Sequence, residues 1–165
     1  KLLDVGTGSG CIAITCALEK LSKKIYATDI SQCALSVAHK NMQLHNINYI
    51  QTACHDILNN SFQTKFDVLI SNPPYVSINE IESLHSEVKD YDPRIALTDG
   101  ADGFVFYRRY ANKFDDLLNP GGHMLLEISG KTHKEGIEKI FSDAEFESKF
   151  YKDLQGDFRV VEIHR

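Results

Sequence analysis

The tetrapeptide Asn72-Pro73-Pro74-Tyr75 carries residue types that can hold a planar NH2 group. It directly follows the almost continuously apolar run 66–71, which is typical of a buried strand. The side-chain carbonyl of Asn72 can accept one N–H of such a group, and the backbone carbonyl of Pro73 can accept the other. Both acceptors strengthen as positive charge develops on the nitrogen, so no strong general base is required. The chemistry fits a glutamine amide or the exocyclic amine of adenine or cytosine.

The other residues of this tetrapeptide suit the same task. Pro73 lacks a competing N–H, and Pro74 restricts the backbone so that the preceding carbonyl keeps its direction. Tyr75 offers an aromatic face to a planar group. The alternative is an ordinary turn that ends a strand, because Asn-Pro and Pro-Pro are common at such places. A glycine-rich loop and two aspartates upstream of the tetrapeptide favour a ligand site over such a turn.

A glycine-rich loop follows the first apolar run of the chain and leads directly into a helical pattern. Glycines at alternate positions let the backbone turn sharply and approach a ligand closely, which predicts a nucleotide-binding turn. The dinucleotide fingerprint is G-x-G-x-x-G, whereas the spacing here is G-x-G-x-G. A nicotinamide-dependent oxidoreductase and a glycine turn without a ligand are therefore weaker alternatives. The loop residues are Gly6, Thr7, Gly8, Ser9 and Gly10.

Two aspartates stand where the next two predicted strands end. Asp29 can accept both hydroxyls of a ribose, because Ser31 can cap the following helix in its place. Asp56 can accept the exocyclic amine of an adenine, although alone it would be an ordinary loop aspartate. The loop spacing and the two acids together resemble the S-adenosylmethionine site of class I methyltransferases.

The composition predicts a soluble domain without metals or disulfides. The net charge is −5, and no basic stripe suits the phosphates of a nucleic acid. No apolar run is long enough to span a membrane, and the histidines lack metal-ligand spacing. The cysteines form no C-x-x-C pair, so we expect reduced core residues in a cytoplasmic protein. They are Cys11, Cys16, Cys33 and Cys54.

Strand-like and helical runs alternate along the whole chain, which predicts one α/β domain over residues 1–165. The predicted strands are 1–5, 24–28, 49–53, 66–71, 123–128, 147–151 and 159–164. The predicted helices are 10–21, 31–45, 101–118 and a last one that Thr132 and Glu135 open with a capping box and that runs to 144. We expect a helix between all strands except the last two, and therefore a mostly parallel sheet whose last strand is antiparallel.

The sequence also predicts a helix face, a turn and a polar segment within this arrangement. The helix 31–45 places an apolar face at helical spacing, formed by Leu35, Ala38, Met42 and His45. Pro120-Gly121-Gly122 is expected to form the turn into the fifth strand. The segment 76–99 is polar, has only a weak helical pattern near 79–87, and suits a functional lid.

The whole sequence resembles the HemK/PrmC family, the glutamine methyltransferases of class I peptide chain release factors. Similar segments are LLDVGTGSGCIAI, DVLISNPPY, YDPRIALTDGADGFVFYR, GGHMLLEIS and the closing DLQGDFRVV. The segment Gly130-Lys131-Thr132 departs from the family's usual pattern. The resemblance implies a Rossmann-like class I methyltransferase fold with helices on both faces of a seven-stranded sheet.

The resemblance also implies the roles of individual residues. The glycine loop, Asp29, Asp56, Ile57 and Asn72 would surround S-adenosylmethionine, which leaves as S-adenosylhomocysteine. Residues 72–75 would bind the glutamine of a Gly-Gly-Gln motif, with Asn72 and Pro73 catalytic. Class I release factors would be the protein partners. The acidic balance weighs against a nucleic-acid methyltransferase, which must flip a base or hold a single strand.

The family also carries an N-terminal helical domain that engages the release factor. Nothing similar precedes the first strand here, so we expect this domain to come from a longer protein. A scaffold that binds the cofactor without catalysis is a third possibility, but such a protein would be expected to have lost Asn72 or a loop glycine.

Overall fold

The computed structural model describes residues 1–165. The strands are β1 Leu2–Val5, β2 Ile25–Asp29, β3 Gln51–Cys54, β4 Phe66–Ser71, β5 Leu118–Glu127, β6 Glu147–Lys152 and β7 Phe158–His164. The α-helices are α1 Cys11–Leu18, α2 Gln32–Leu44, α3 Ser86–Tyr91, α4 Arg94–Leu97, α5 Val105–Leu117 and α6 Gly130–Asp143. A short 3-10 helix covers Ile81–Ser83.

The strands form one seven-stranded sheet in the order β3-β2-β1-β4-β5-β7-β6. β1 pairs in parallel with β2 on one side and with β4 on the other. β2 and β3 are parallel, as are β4 and β5. The sheet is mostly parallel, its last strand is antiparallel, and helices surround it, so the predicted fold class is confirmed.

The chain divides into two compact units. The first consists of residues 1–72, 115–126 and 164. Apolar side chains of β1, β2, α1, α2 and the loop after α2 pack together in its core. These core residues are Leu2, Ala13, Ile14, Cys16, Ala17, Ile25, Ala27, Met42, Ile47 and Ile50.

The second unit consists of residues 73–114, 127–163 and 165. Its interior is rich in aromatic side chains from α5 and α6. Phe114 stacks at 4.4 Å between ring centroids on Phe146, which follows α6. The buried apolar residues include Ile81, Tyr107, Tyr110, Phe114, Ile128, Ile137, Phe141, Phe146, Val161 and Ile163, and His133 is a buried polar one. The helical spacing of residues 101–118 predicts an apolar face of Phe104, Tyr107, Ala111, Phe114 and Leu118. Within α5, Tyr107 and Phe114 of this face are buried, and so is Tyr110, which the prediction missed.

The connection from β3 to β4 contradicts the prediction that a helix joins these strands. Residues 55–65 contain only turns. Phe62 stacks on His55 at 3.9 Å and meets Phe66 edge-on at 5.3 Å. This aromatic packing replaces a crossover helix.

The fifth strand begins earlier than predicted. It starts at Leu118 and runs through Pro120-Gly121-Gly122, which therefore do not form a turn before it. The pairing with β4 shifts register between Phe66 and Val68, so the proline and glycines form an irregularity inside the strand. A proline is tolerated at such a place because no ladder hydrogen bond is required there.

The last helix also differs from its prediction. α6 begins at Gly130, and Ser129 is its N-cap without a side-chain hydrogen bond. Thr132 and Glu135 thus lie inside the helix, and the predicted capping box is wrong. The capping pattern is a short-range signal, and here the backbone turns into the helix two residues earlier at Gly130, which has φ +67°. Glycine adopts this conformation readily.

Two burial predictions are also wrong. His45 is exposed at the C-terminus of α2, whereas Leu35, Ala38 and Met42 are buried as predicted. Among the cysteines, which form no disulfide, only Cys16 is buried. The other three lie at or near the ends of α1, α2 and β3 and are exposed.

No helix combines the length and apolar character needed to cross a bilayer. No group of three or more His, Cys, Asp or Glu side chains is arranged to hold a metal ion.

Candidate functional site

The predicted cofactor residues of the first unit meet at the carboxyl ends of neighbouring strands. Val5 pairs with Ser71 and with Thr28, so the residues that follow these three positions lie next to one another. Ligands of open α/β sheets bind at such ends, where the strand order reverses. In this sheet the reversal falls at β1, because β2 and β3 lie on one side of it and β4 on the other.

The glycine loop turns directly above the end of β1. The N–H groups of Gly6 and Thr7 both donate to the carbonyl of Thr28, at 2.8 and 2.9 Å. Gly10 has φ +85°, and a Cβ there would lie 3.1 Å from Ile14 and 3.2 Å from Ala38. Glycine is required at this position for its backbone conformation and for the close approach of α2. A Cβ at Gly8 would meet nothing within 4 Å, so the loop faces open space there.

Asp29 is the last residue of β2 and supports the loop. Its Oδ2 accepts the Gly8 N–H at 2.9 Å, and its Oδ1 accepts the Ser31 N–H at 2.8 Å. Ser31 caps α2 by accepting the Ala34 N–H at 3.2 Å, as predicted. Each carboxylate oxygen has a second lone pair, so Asp29 can still accept hydroxyl groups.

Asp4 lies beneath the glycine loop, and the sequence prediction did not single it out. Its side chain is fully buried in β1, and its Oδ2 accepts the Thr7 hydroxyl at 2.6 Å and the Ala13 N–H at 3.1 Å. Its Oδ1 has no hydrogen-bond partner. Burial raises the pKa of Asp4 to about 6, and the two hydrogen bonds only partly offset this. An acid inside the otherwise apolar strand LLDV was the available signal.

A side chain of α2 also holds the loop without any sequence signal. The Asn41 amide donates to the Ser9 carbonyl at 2.9 Å. Ser9 itself is exposed. The polar face of an amphipathic helix rarely indicates which of its residues reaches another segment.

Asp56 lies after β3 and closes a turn. Its carboxylate accepts the Leu58 N–H at 2.9 Å and the Asn59 amide at 2.6 Å. Desolvation raises the pKa of Asp56, but these hydrogen bonds outweigh it and the pKa lies below its usual range. Ile57 beside it is buried. Asp56 therefore shapes the turn and stays ionised.

Asn72 follows β4 and ends the first unit. Its backbone oxygen would lie 3.8 Å from a Cβ at Gly6, which places the glycine loop and Asn72 side by side. The Asn72 side chain is exposed and makes no hydrogen bond within the chain. The strand end beneath it is fixed, because the Ser71 hydroxyl donates to the Val5 carbonyl at 2.8 Å. An amide that is free on a rigid support can bind a ligand without first breaking an internal bond.

The residues after Asn72 belong to the second unit. Pro73 is buried, whereas Pro74 and Tyr75 are partly exposed. The Tyr75 hydroxyl donates to Oε1 of Glu127 at 3.3 Å. Burial raises the pKa of Tyr75, and the negative charge of Glu127 raises it further. Tyr75 is thus a neutral hydrogen-bond donor whose ring can face a planar group.

A glycine in the second unit makes room for this tetrapeptide. Gly103 has φ +85°, and a Cβ there would overlap the backbone oxygen of Tyr75. Asp99 fixes the turn, since its carboxylate accepts the N–H groups of Gly103 at 3.1 Å and Val105 at 2.9 Å. The TDGADG segment therefore presses directly against the backbone of Tyr75.

His133 of α6 connects the same elements. Its Nδ1 accepts the Ser129 N–H at 3.1 Å, so its Nε2 carries the proton and donates to the Gly103 carbonyl at 3.2 Å. Its ring lies 5.7 Å from that of Tyr75 and 4.6 Å from that of Phe104. Burial lowers the pKa of His133, which keeps it neutral. Its role is to pack and to orient.

The family model of the methyltransferase small domain matches residues 1–88, slightly more than half of the chain. The chain belongs to the methyltransferase small domain family. This assignment rests on the segment that contains the glycine loop, the strand-end acids and residues 72–75. It confirms the prediction of a methyltransferase.

Similar proteins match this methyltransferase small domain over nearly its whole length. A bifunctional methyltransferase of Rickettsia felis is 39% identical over 163 residues, which are 98% of this chain and 31% of that protein. A release factor glutamine methyltransferase of Fusobacterium nucleatum is 36% identical over 165 residues, which are 98% of this chain and 46% of that protein. The match to a relative of that name confirms the resemblance to the HemK/PrmC family. The chain spans less than half the length of either relative.

A solved structure supports the fold independently. An N-methyltransferase from Bradyrhizobium japonicum in complex with S-adenosyl-L-homocysteine has a TM-score of 0.60 and 17% identity, and the match covers 98% of this chain and 76% of that one. A likeness at this level of identity concerns the fold alone. It agrees with the Rossmann-like methyltransferase fold that the sequence predicted.

Proposed function

We propose that this domain transfers a methyl group from S-adenosylmethionine to the side-chain amide nitrogen of the glutamine in a Gly-Gly-Gln motif of class I peptide chain release factors, in the cytoplasm. The observation that carries the proposal is Asn72, whose exposed side-chain amide has no internal partner and whose backbone lies beside the glycine loop. The substrate that receives the methyl group must bind next to the cofactor, and a hydrogen-bonding side chain beside the loop can hold it there.

The residues of the loop fit the proposed cofactor. The space over Gly8 is open for a ligand, and Asp29 beside it retains acceptor capacity for ribose hydroxyls. The buried Ile57 supplies apolar surface next to Asp56, as an adenine ring requires. The glycine loop follows β1, Asp29 ends β2, and Ile57 follows β3. These three strands are adjacent in the sheet.

The charges near the glycine loop distinguish S-adenosylmethionine from a dinucleotide as the cofactor. Asp4, Asp29 and Asp56 all lie at the ends of these strands, and none is paired with a lysine or arginine in an ion pair. A pyrophosphate would be repelled by such a set, whereas a sulfonium cation is attracted. The observed charges therefore favour S-adenosylmethionine over a nicotinamide dinucleotide.

Asn72 and Pro73 orient the nitrogen. The Asn72 side-chain oxygen accepts one N–H of the glutamine amide, and the Pro73 backbone carbonyl accepts the other. When bound, S-adenosylmethionine would supply the methyl group, and the electron pair of the C–S bond would stay on sulfur as the nitrogen held by Asn72 and Pro73 forms the new C–N bond. The two acceptors stabilise the positive charge that develops on nitrogen, and the extra proton then leaves to solvent. Asn72 provides its acceptor from a fixed strand end, so little reorganisation is needed.

The choice of a protein substrate rests on charge and similarity. A net charge of −5 opposes a phosphate backbone, and binding to nucleic acid depends mainly on neutralising phosphates. The name of the relative from Fusobacterium nucleatum specifies release factor glutamine. Adenine and cytosine amines present the same NH2 geometry and are the alternative substrates.

The test incubates the full-length protein and radiolabelled S-adenosylmethionine with a release factor, with the same factor carrying Gly-Gly-Glu in place of Gly-Gly-Gln, and with DNA or RNA. We expect label on the glutamine peptide of the first substrate only. Label on nucleic acid, or equal label on the Gly-Gly-Glu variant, would contradict the proposal. Binding of S-adenosylhomocysteine and not of a nicotinamide dinucleotide in a thermal-shift assay tests the cofactor separately.

A further inference from the structure

The closing segment DLQGDFRVV resembles the family pattern, yet the proposed reaction gives it no role. In the structure it forms the turn between β6 and β7 and the start of β7. The turn is fixed by Asp153, whose Oδ1 accepts the N–H groups of Gln155 at 2.9 Å and Asp157 at 3.1 Å. Asp153 therefore has a defined orientation, with Oδ2 left for another partner.

That partner is Arg159. Its Nε donates to Oδ2 of Asp153 at 3.2 Å. Its backbone carbonyl accepts the Ile128 N–H at 2.9 Å, which places β7 beside the residue that follows Glu127. The hydrogen bond to Asp153 raises the pKa of Arg159 most, and coulombic interactions with Tyr75 and Glu127 raise it further. One cation thus links the turn to the neighbourhood of Tyr75.

Glu127 completes the connection. It lies at the carboxyl end of β5, and its Oε1 accepts the Tyr75 hydroxyl. Its backbone carbonyl accepts the Tyr107 hydroxyl at 2.6 Å, so the strand end is itself held by α5. Arg159 also acts on the Tyr75 hydroxyl, where its charge and hydrogen bonding lower the pKa of Tyr75 against the effects of burial and Glu127. The hydroxyl is therefore bound to the carboxylate of Glu127 on β5 and interacts with the positive charge of Arg159 on β7.

We propose that Glu127 and Arg159 are positioning residues for methyl transfer, which fix the Tyr75 ring through its hydroxyl so that the ring stays in place for the substrate amide. This inference rests on the proposed function, because it assigns Tyr75 to the substrate. Asp153 acts one step further away by orienting Arg159. The chain of contacts explains why a polar hairpin turn far from residue 75 in the sequence bears on the tetrapeptide.

The alternative is that these residues only stabilise the second unit. A double-mutant cycle distinguishes a positioning role from a stabilising one, because the positioning role of Glu127 depends on the hydroxyl oxygen of Tyr75. Tyr75→Phe removes that oxygen and keeps the ring. If Glu127 acts through it, Glu127→Gln must have no further effect once the hydroxyl is absent.

The experiment compares the full-length protein with Tyr75→Phe, Glu127→Gln and the double variant, using release factor as substrate. We expect each single variant to lower kcat/KM for the release factor about tenfold, the size of one lost hydrogen bond to a charged group. We expect the double variant to match the single ones, and the dissociation constant of S-adenosylhomocysteine to stay unchanged. Arg159→Lys should behave like Glu127→Gln, because lysine has no Nε donor for Asp153 and its ammonium lacks the fixed direction of the guanidinium.

A matched control exists in the same unit. The Tyr151 hydroxyl donates to Glu162 on the β6 and β7 strands, away from Tyr75. Glu162→Gln removes an equivalent tyrosine–glutamate bond, and we expect it to leave kcat/KM unchanged in both the wild-type and the Tyr75→Phe background.

Losses that multiply in the double variant would overturn the positioning role, since Glu127 would then act without the Tyr75 hydroxyl. So would an equal loss in the Glu162→Gln control. If the unmodified protein methylates no release factor, the proposed function fails first, and the inference fails with it. An active wild type with multiplying losses shows that the inference alone is wrong.

Discussion

The glycine loop of the first unit and the segment that follows Asn72 in the second unit are stabilised in different ways. The loop is held by buried or partly buried acids that accept backbone N–H groups, as Asp4 does for Ala13 and Asp29 for Gly8. The segment after Asn72 is held by close backbone packing at Gly103 and by side-chain hydroxyls that reach charged groups. The first arrangement preforms a cradle, whereas the second directs individual side chains.

This difference leads to an expectation about mutations. Changes around the loop should alter cofactor affinity and stability, and changes around residues 72–75 should alter the transfer step. A preformed cradle binds equally in the ground state and the transition state, while oriented acceptors matter most when charge develops.

Asn72→Ala should distinguish cofactor binding from methyl transfer most clearly. We expect kcat to fall by about 100-fold to 1000-fold, because one acceptor of the developing charge is lost. Affinity for S-adenosylhomocysteine should be retained, since Gly6 meets only the Asn72 backbone. Calorimetry and steady-state methylation assays measure the two quantities, and near-normal turnover would contradict the proposed mechanism.

Asp4 should make the loop sensitive to pH. The pKa of Asp4 is about 6 in the folded protein, against an ordinary value of 3.8. The folded state therefore gains stability from the protonated acid below about pH 4, and this stability is lost as the pH rises from about 4 to about 6. The loss amounts to about 3 kcal/mol. Asp4→Asn should remove this part of the pH dependence.

Denaturant unfolding of both proteins between about pH 4 and about pH 7 measures that difference. Other acids contribute equally to both curves and cancel. Parallel curves would show that Asp4 is not buried as an acid beneath the loop.

Gly103→Ala tests the packing behind Tyr75, and Gly100→Ala is its matched control. Both glycines have positive φ, at +85° and +76°, but a Cβ at Gly100 would meet nothing within 4 Å. The strain of the backbone conformation is therefore common to both, and the overlap with Tyr75 is specific to Gly103. We expect Gly103→Ala to lower the free energy of unfolding by about 2 kcal/mol more than Gly100→Ala.

Activity gives a second measure of the same pair. Gly103→Ala should also reduce methyl transfer, because the backbone of Tyr75 must move. Equal effects of the two variants on stability and turnover would show that the contact with Tyr75 is unimportant.

Asp29→Ala should weaken cofactor binding and spare the transfer step. The variant loses acceptors for Gly8 and Ser31 as well as the proposed ribose contact. We expect the dissociation constant of S-adenosylhomocysteine to rise about tenfold, with kcat retained at saturating cofactor. Glu19→Ala, an exposed acid of the same unit, is the control and should leave binding unchanged. A fall in kcat alone would reverse the proposed assignment.

The prediction from sequence succeeded where one element and its immediate end carry the information. The apolar run 66–71 was predicted with its observed bounds, and Ser31 was recognised as the cap of α2. It failed where distant segments compete. The aromatic cluster of His55, Phe62 and Phe66 replaced an expected helix, and the pairing of β5 with β4 absorbed the Pro120-Gly121-Gly122 turn.

Local sequence patterns were enough to predict the strands, the glycine loop, and the acids and the amide at strand ends, because periodicity and turn chemistry depend on neighbouring residues. Only the tertiary structure showed that Asp4 is buried beneath the loop, that Asp29 already supports Gly8, and that Glu127 and Arg159 converge on Tyr75. These partners come from strands that are far apart along the chain and adjacent or nearly so in the sheet. Which side chains meet there depends on strand order and register, which local patterns do not specify.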